Sequence, residues 1–275
     1  MTAVQHLSAM VATSRNNVQT LGQGERVVVL AHGFGTDQSS WAAVTKAFVH
    51  DCKVVLFDHV GFGRSDRLAY CLDRHDSLRG YALDAIDVLD RLESRNVTFV
   101  GHSIGGVIGM LASIERPDLF ERLVLLNPSA RFIAEPPEYP IGFARRKVVE
   151  LLELMDRDYS AWADLLAPAA IGRGNDPFLI RAFGQGLHSL DPMITRRFAR
   201  LVFHVDVRAQ LPRVTTSTSI LHCTGDEFAP MEMGEYVHRN LPNATLTHLD
   251  ATGHCPHMTR PDLVVAALRT QLEVR

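Results

Sequence analysis

Val97-Thr98-Phe99-Val100-Gly101-His102-Ser103-Ile104-Gly105-Gly106 is the stretch on which the reading of this chain turns. Val97 to Val100 favour a strand. From Ile104 onward the apolar residues Ile104, Val107, Ile108 and Leu111 recur at helical spacing. A strand, a sharp turn and a helix therefore meet at one serine, and in that setting Gly-x-Ser-x-Gly predicts a nucleophile elbow. The glycines have a physical job, because the turn is strained and a neighbouring Cβ would collide with the adjoining strand or helix. The elbow lifts the Ser103 hydroxyl off the sheet. It also aims the first amides of the helix at negative charge forming beside it. The competing reading is a buried serine in an ordinary Gly-rich turn, and the strand and helix on either side weigh against it.

Upstream, Arg26-Val27-Val28-Val29-Leu30-Ala31 and Lys53-Val54-Val55-Leu56-Phe57 are apolar runs of strand length, as expected of strands buried on both faces. The first empties into His32-Gly33-Phe34-Gly35, and Ser39 or Ser40 is expected to cap the helix that follows. The second ends in the Gly-rich loop Asp58-His59-Val60-Gly61-Phe62-Gly63-Arg64-Ser65-Asp66. A dinucleotide-binding reading of that loop fails, since it lacks a third glycine and a helix directly after it. Asp58 is instead expected to stabilise the loop. Asp76-Ser77 looks like a cap, and Ala82, Ala85, Ile86, Leu89 and Leu92 line one face of a long helix leading to Val97. Arg122 to Leu126 forms the next strand. Alternating strands and helices predict a parallel sheet with helices on both faces. The turn signals Asn16-Asn17 and Gly22-Gln23-Gly24 suggest a short opening hairpin over residues 1 to 24.

The alternation breaks near Pro128. Helices are expected over about 142–156, 158–166, 176–187 and 191–204, with no buried strand among them. Strands resume at 218–222 and 244–248, and a helix over 261–272 closes the chain. We therefore expect a core of residues 1–128 and 205–275 with a helical lid, 129–204, inserted in it.

Composition narrows the class. The 275 residues suit one large domain or a domain with a cap. A hydrophobic share of 46% and a net charge of −3 without a basic run describe a globular chain that is no nucleic-acid binder. Cys52, Cys71, Cys223 and Cys255 are scattered, which points to free thiols in a reducing compartment. There is no evident signal peptide, and no apolar stretch approaches the ~20 residues of a membrane span. A cytoplasmic protein without membrane contact is the expectation.

A serine hydroxyl needs a base in reach, and the base needs a group to hold its tautomer. In an open parallel sheet such groups collect in loops after the strands. Strand 218–222 runs into Cys223-Thr224-Gly225-Asp226-Glu227, and strand 244–248 into Thr252-Gly253-His254-Cys255-Pro256-His257. Ser103, Asp226 and His254 thus follow the order nucleophile, acid, histidine. His254 is preferred to His257 because it lies nearer the strand end and follows a glycine that lets the loop turn. Asp226 is preferred to Glu227 and Asp250, which read as turn-capping carboxylates. A metal site of His254, Cys255 and His257 is disfavoured, since ligands this close in sequence rarely reach one ion. No metal and no cofactor is expected. The oxyanion donors are expected to be the amides of Ile104, just after the nucleophile, and Phe34, in the loop after strand 26–31. The Phe34 side chain reads equally as pocket floor or as core packing.

Four stretches together resemble one α/β-hydrolase subfamily: His32 to Gln38, Gly101 to Gly105, Gly109 to Ile114 and Gly253 to Met258. It includes the bacterial sigma-B energy-stress regulator hydrolase and the plant karrikin and strigolactone receptors. Gly253-His254-Cys255-Pro256-His257 and Pro136-Pro137-Glu138-Tyr139 resemble the bacterial member more than the plant ones. The resemblance implies an α/β-hydrolase fold with a four-helix lid over a hydrophobic pocket, and a triad at Ser103, Asp226 and His254. Aromatic residues at matching places, Phe34, Phe132, Trp162 and Phe203, would line the pocket; the alternative for each is packing between lid helices. The implied activity is hydrolysis of a small hydrophobic ester or lactone. The alternative is a small-molecule sensor that signals through a PAS-domain phosphatase or another protein partner. Dehalogenases and epoxide hydrolases share the fold but place aspartate where Ser103 sits.

Overall fold

The computed structural model describes residues 13–272. Its centre is a seven-stranded sheet: β1 (Gln19–Leu21), β2 (Arg26–Ala31), β3 (Cys52–Phe57), β4 (Val97–His102), β5 (Phe120–Leu126), β6 (Ser217–Gly225) and β7 (Ala244–Thr252), in the order β1-β3-β2-β4-β5-β6-β7. All neighbouring pairs are parallel except β1 and β3. The order reverses direction between β2 and β4. In open parallel sheets a crevice forms at such a point, outside the carboxyl ends of the strands. The opening hairpin is corrected: residues 13–15 are helical, and β1 pairs antiparallel with β3, Gln19 opposite Leu56. The part of that expectation on residues 1–12 lies outside the described residues.

Alternation along the strands sends side chains to two layers. Val29, Ala31, Val55, Phe57, Phe99 and Leu123 face α3 (Leu78–Arg91) and α4 (Ile104–Glu115), with α9 (Met231–Asn240) on the same side. Val28, Leu30, Val54, Val100, Val124 and Leu221 face α1 (Ala42–Phe48) and α11 (Pro261–Leu272). The short helices α2 (Leu72–His75) and α10 (Pro256–Thr259) complete this body. No helix among the described residues is long and apolar enough to cross a membrane.

Between β5 and β6 stand α5 (Arg145–Arg157), α6 (Tyr159–Ile171), α7 (Pro177–Ser189) and α8 (Pro192–Phe203). Asp158, Asp176 and Asp191 cap three of them by accepting amide protons from the first turn, and Pro177 and Pro192 take the position where no amide is needed. α6 runs five residues beyond the expected 166, through Pro168. An interior proline removes one helical bond, but Ala167, Ala170 and Ile171 stay buried and hold the last turn in place. The α1 cap also differs from expectation. Asp37, not Ser39 or Ser40, accepts from the Ser39 amide and opens a 3-10 turn ahead of α1. Ser77 occupies the cap position of α3, but its side chain makes no capping bond.

The four helices form their own apolar cluster around Met155, Trp162, Ile171 and Leu187. Phe34, Phe228 and Cys255, from strand-end loops, pack against that cluster, so the helical layer sits over the carboxyl edge of the sheet. The chain enters and leaves the layer through adjacent segments. Arg131 bridges to Asp206, and the Val207 amide donates to Ala130 O.

Candidate active site

Ser103 is the first residue after β4 and has φ 52° and ψ −121°. A non-glycine residue in that region stores roughly 1–3 kcal/mol of strain, and the surroundings enforce it. The Ser103 amide donates to Leu126 O at 2.8 Å, and Ser103 O accepts from the Gly106 amide at 2.9 Å. A Cβ on Gly101 would lie 2.4 Å from Gly106 N, and one on Gly105 would lie 2.5 Å from His32 O. Both glycines are therefore required by backbone approach. Ile104 opens α4 directly after Ser103, and a first-turn amide has no acceptor within its own helix.

The loops after β6 and β7 bring Asp226 and His254 to this serine. His254 Nε2 is 2.7 Å from Ser103 Oγ, and His254 Nδ1 is 2.6 Å from Asp226 Oδ2. All three residues are buried. Asp226 Oδ1 accepts from the amides of Phe228 and Ala229 at 2.8 and 3.0 Å, so its loop wraps the carboxylate and fixes it as an acceptor. With Nδ1–H donated to Asp226, the bare Nε2 faces the serine hydroxyl. This is the tautomer a general base requires.

The rival residues fall elsewhere. His257 is wholly buried three residues on, packed against Trp41 with ring centroids 4.4 Å apart, and neither ring nitrogen is bonded. Burial pushes its pKa down to about 3. Glu227 and Asp250 are exposed. Asp58 accepts from the amides of Gln38 and Arg64 and from Asn17 Nδ2, so it ties the Gly-rich loop to two neighbouring segments. Cys255 lies on the cavity wall, but burial raises its thiol pKa far above the usual range and keeps it from competing as a nucleophile. Among the described residues no three His, Cys, Asp or Glu side chains converge on a metal position.

Sequence reading missed a set of buried histidines that clamp the loops. His59 Nε2–H donates to His32 O, and His32 Nε2 accepts from the His59 amide, each at 3.0 Å; together they hold the loop that carries Phe34. His222 donates to Ala229 O at 2.7 Å and closes the Asp226 loop. His102 Nε2–H donates to His254 O at 2.7 Å, and Asn127 Nδ2 adds a second bond there at 3.1 Å. Burial lowers the pKa of His32, His59, His102 and His222, so all four stay neutral. His32 and His59 lie just beyond strand ends, His102 ends β4 and His222 sits three residues inside β6, and no local signal marks their partners.

Above Ser103 lies a cavity of about 30 Å3, walled by Phe34, Phe132, Phe183, Phe203 and Phe228 among others. Of the four aromatics expected at a pocket, Phe34, Phe132 and Phe203 line it. Trp162 does not; it stands one layer back, fully buried, with its ring 5.9 Å from that of Phe34. A neighbouring groove of about 250 Å3 shares Leu166, Phe203 and Phe228 with the cavity. Another cleft, about 520 Å3 between β1 and α1, contains none of the three site residues and lies apart from this chemistry.

The Alpha/beta hydrolase family model matches residues 28–267. The chain is 37% identical over 259 residues to Karrikin insensitive 2 receptor CA of Petunia hybrida, covering 94% of this chain and 96% of the relative. It is 34% identical over 257 residues to Strigolactone esterase D14 of Arabidopsis thaliana, covering 93% and 96%. A solved hydrolase from Oleispira antarctica superposes with a TM-score of 0.94 at 35% identity, covering 97% of this chain and 98% of that one.

Proposed function

The chain belongs to the alpha/beta hydrolase family, and on that footing we propose that it is a serine hydrolase of small hydrophobic esters or lactones. The observation that carries the proposal is the continuous relay from Ser103 Oγ to His254 Nε2 and from His254 Nδ1 to Asp226 Oδ2. His254 Nε2 takes the Ser103 proton as Oγ attacks the carbonyl carbon. The negative charge forms on the carbonyl oxygen, where the amides of Ile104 and Phe34 hold it. Collapse breaks the ester C–O bond, and His254 returns the proton to the leaving alkoxide. In a lactone that alkoxide stays tethered to the acyl group. Water then gives His254 a proton and attacks the acyl-enzyme, releasing the acid and restoring Ser103. Asp226 stays ionised and orients the imidazole throughout.

The cavity favours a small acyl group. At about 30 Å3 and walled by phenylalanines, it suits an acyl group of acetyl size. The groove that shares Leu166, Phe203 and Phe228 offers the approach for the alcohol side. Hydrolysis of p-nitrophenyl acetate by wild type and by Ser103→Ala tests the reading. Loss of roughly 10³-fold or more in kcat is expected, and equal rates would refute it.

A second reading is favoured by the relative named as a receptor. In it the same pocket captures a small apolar ligand and the helical layer 129–204, acting as a lid, meets a protein partner. Ligand-dependent capture of a PAS-domain phosphatase or another partner, weakened by changes on the outer faces of α5 to α8, separates this role from turnover alone.

A further inference from the structure

The C-terminal turn of α6 leaves carbonyls without helical partners, as every helix end does. Here the loop of the histidine supplies them. The His254 amide donates to Ala170 O at 2.7 Å. Asn175 Nδ2 donates to Ile171 O at 2.6 Å and to Thr252 O at 2.9 Å, so one side chain joins the end of α6 to the end of β7. Two glycines make the approach possible. Gly253 has φ +89°, and a Cβ there would lie 2.1 Å from Ile171 O. Gly172 has φ +93°, and its Cβ would lie 3.1 Å from the Gly253 backbone. Gly253 therefore does more than turn the loop; it lets the helical layer rest directly on the backbone next to the base.

From this we infer that α6 sets the position of His254, with Asn175 as the positioning residue. The inference rests on the role given to His254 above. His254 is held from below by His102 and Asn127 at its carbonyl and from above by Ala170 at its amide. A displacement of α6 therefore moves the imidazole relative to Ser103, together with Leu166 and Ala170 on the cavity wall. Asn175 is half-buried and touches neither the cavity nor the three reacting side chains.

The test compares wild type with Asn175→Ala and the isosteric Asn175→Asp, which cannot donate. Two readouts need no turnover: hydrogen exchange of the His254 amide, and the low-field proton resonance of His254 Nδ1–H. Exchange is expected to rise at least about tenfold in both variants, and the resonance to shift or broaden. With p-nitrophenyl acetate, kcat is expected to fall about 10- to 100-fold with KM within about twofold, as a misplaced catalytic group requires. Wild-type exchange and resonance in both variants overturn the inference. So does faster exchange with unchanged kcat. If wild type shows no Ser103-dependent turnover, the hydrolase reading fails instead, and exchange and resonance still decide whether Asn175 positions His254.

Discussion

The strand-end floor of the site and the helical layer above it are held by different forces. On the floor, position is set by backbone geometry and directed hydrogen bonds: the Ser103 turn, the Asp226 loop wrapped on two amides, and histidine clamps on three loops. In the layer, cohesion comes from apolar contact around Met155, Trp162 and Leu187, with ion pairs such as Arg200 to Asp156 on the outside. Directed bonds are lost in full when one partner goes, whereas apolar contacts degrade in proportion to the area removed. The floor is thus intolerant of small changes, and the layer can be retuned.

The sharpest break of this contrast is His254→Ala, which leaves the fold in place. Hydrolysis of p-nitrophenyl acetate is expected to fall by roughly 10³-fold or more, with the melting temperature moved by only a few degrees. Gly105→Ala should damage both fold and activity, since its Cβ meets the His32 carbonyl at 2.5 Å. We expect loss of Ser103-dependent turnover and a clear drop in the urea midpoint.

Phe203→Ala probes the layer. Its ring is buried at 4% exposure and walls the cavity. Truncation should cost about 3–5 kcal/mol by denaturant titration. Acetate turnover should survive while the rate on longer acyl esters rises relative to acetate. A fall in acetate turnover as large as that of His254→Ala would erase the distinction between floor and layer.

Acid sharpens it further. Burial holds His257 at a pKa of about 3, below the ordinary 6.5. Between those values the unfolded chain binds a proton there that the folded chain does not. Stability is therefore intact above about pH 6.5 and falls as pH drops toward 3, by about 1.4 kcal/mol per pH unit for such a group. His257→Leu should flatten the stability-against-pH slope by about one proton in that window, read from urea midpoints at pH 5 and 7. The smallest effect is expected from Arg200→Ala at the half-exposed pair with Asp156. It should cost no more than about 1 kcal/mol, and less in high salt.

The candidate site was readable in sequence wherever its geometry demands a rare local conformation. Gly101, Ser103 and Gly105 stand out because nothing else fits the elbow, and Asp226 and His254 because each follows a strand end. His102, Asn127 and Asn175 were not readable. Their bonds to His254 O and Thr252 O span 152, 127 and 77 residues of the chain, and no local pattern records such bonds. The extension of α6 past Pro168 and the pairing of β1 with β3 escaped for the same reason: distant packing overrode the local signal.

By itself, the sequence determined the alternation of buried strands and amphipathic helices, the elbow and the interruption by four helices, because each is written in spacing over a few residues. Only the tertiary structure decided which aromatics reach the cavity, Trp162 falling one layer short, and that the end of α6 rests on the backbone of His254. Those outcomes depend on how separate elements dock, and docking is settled by shape and by unsatisfied backbone groups meeting across space, neither of which has a period along the chain.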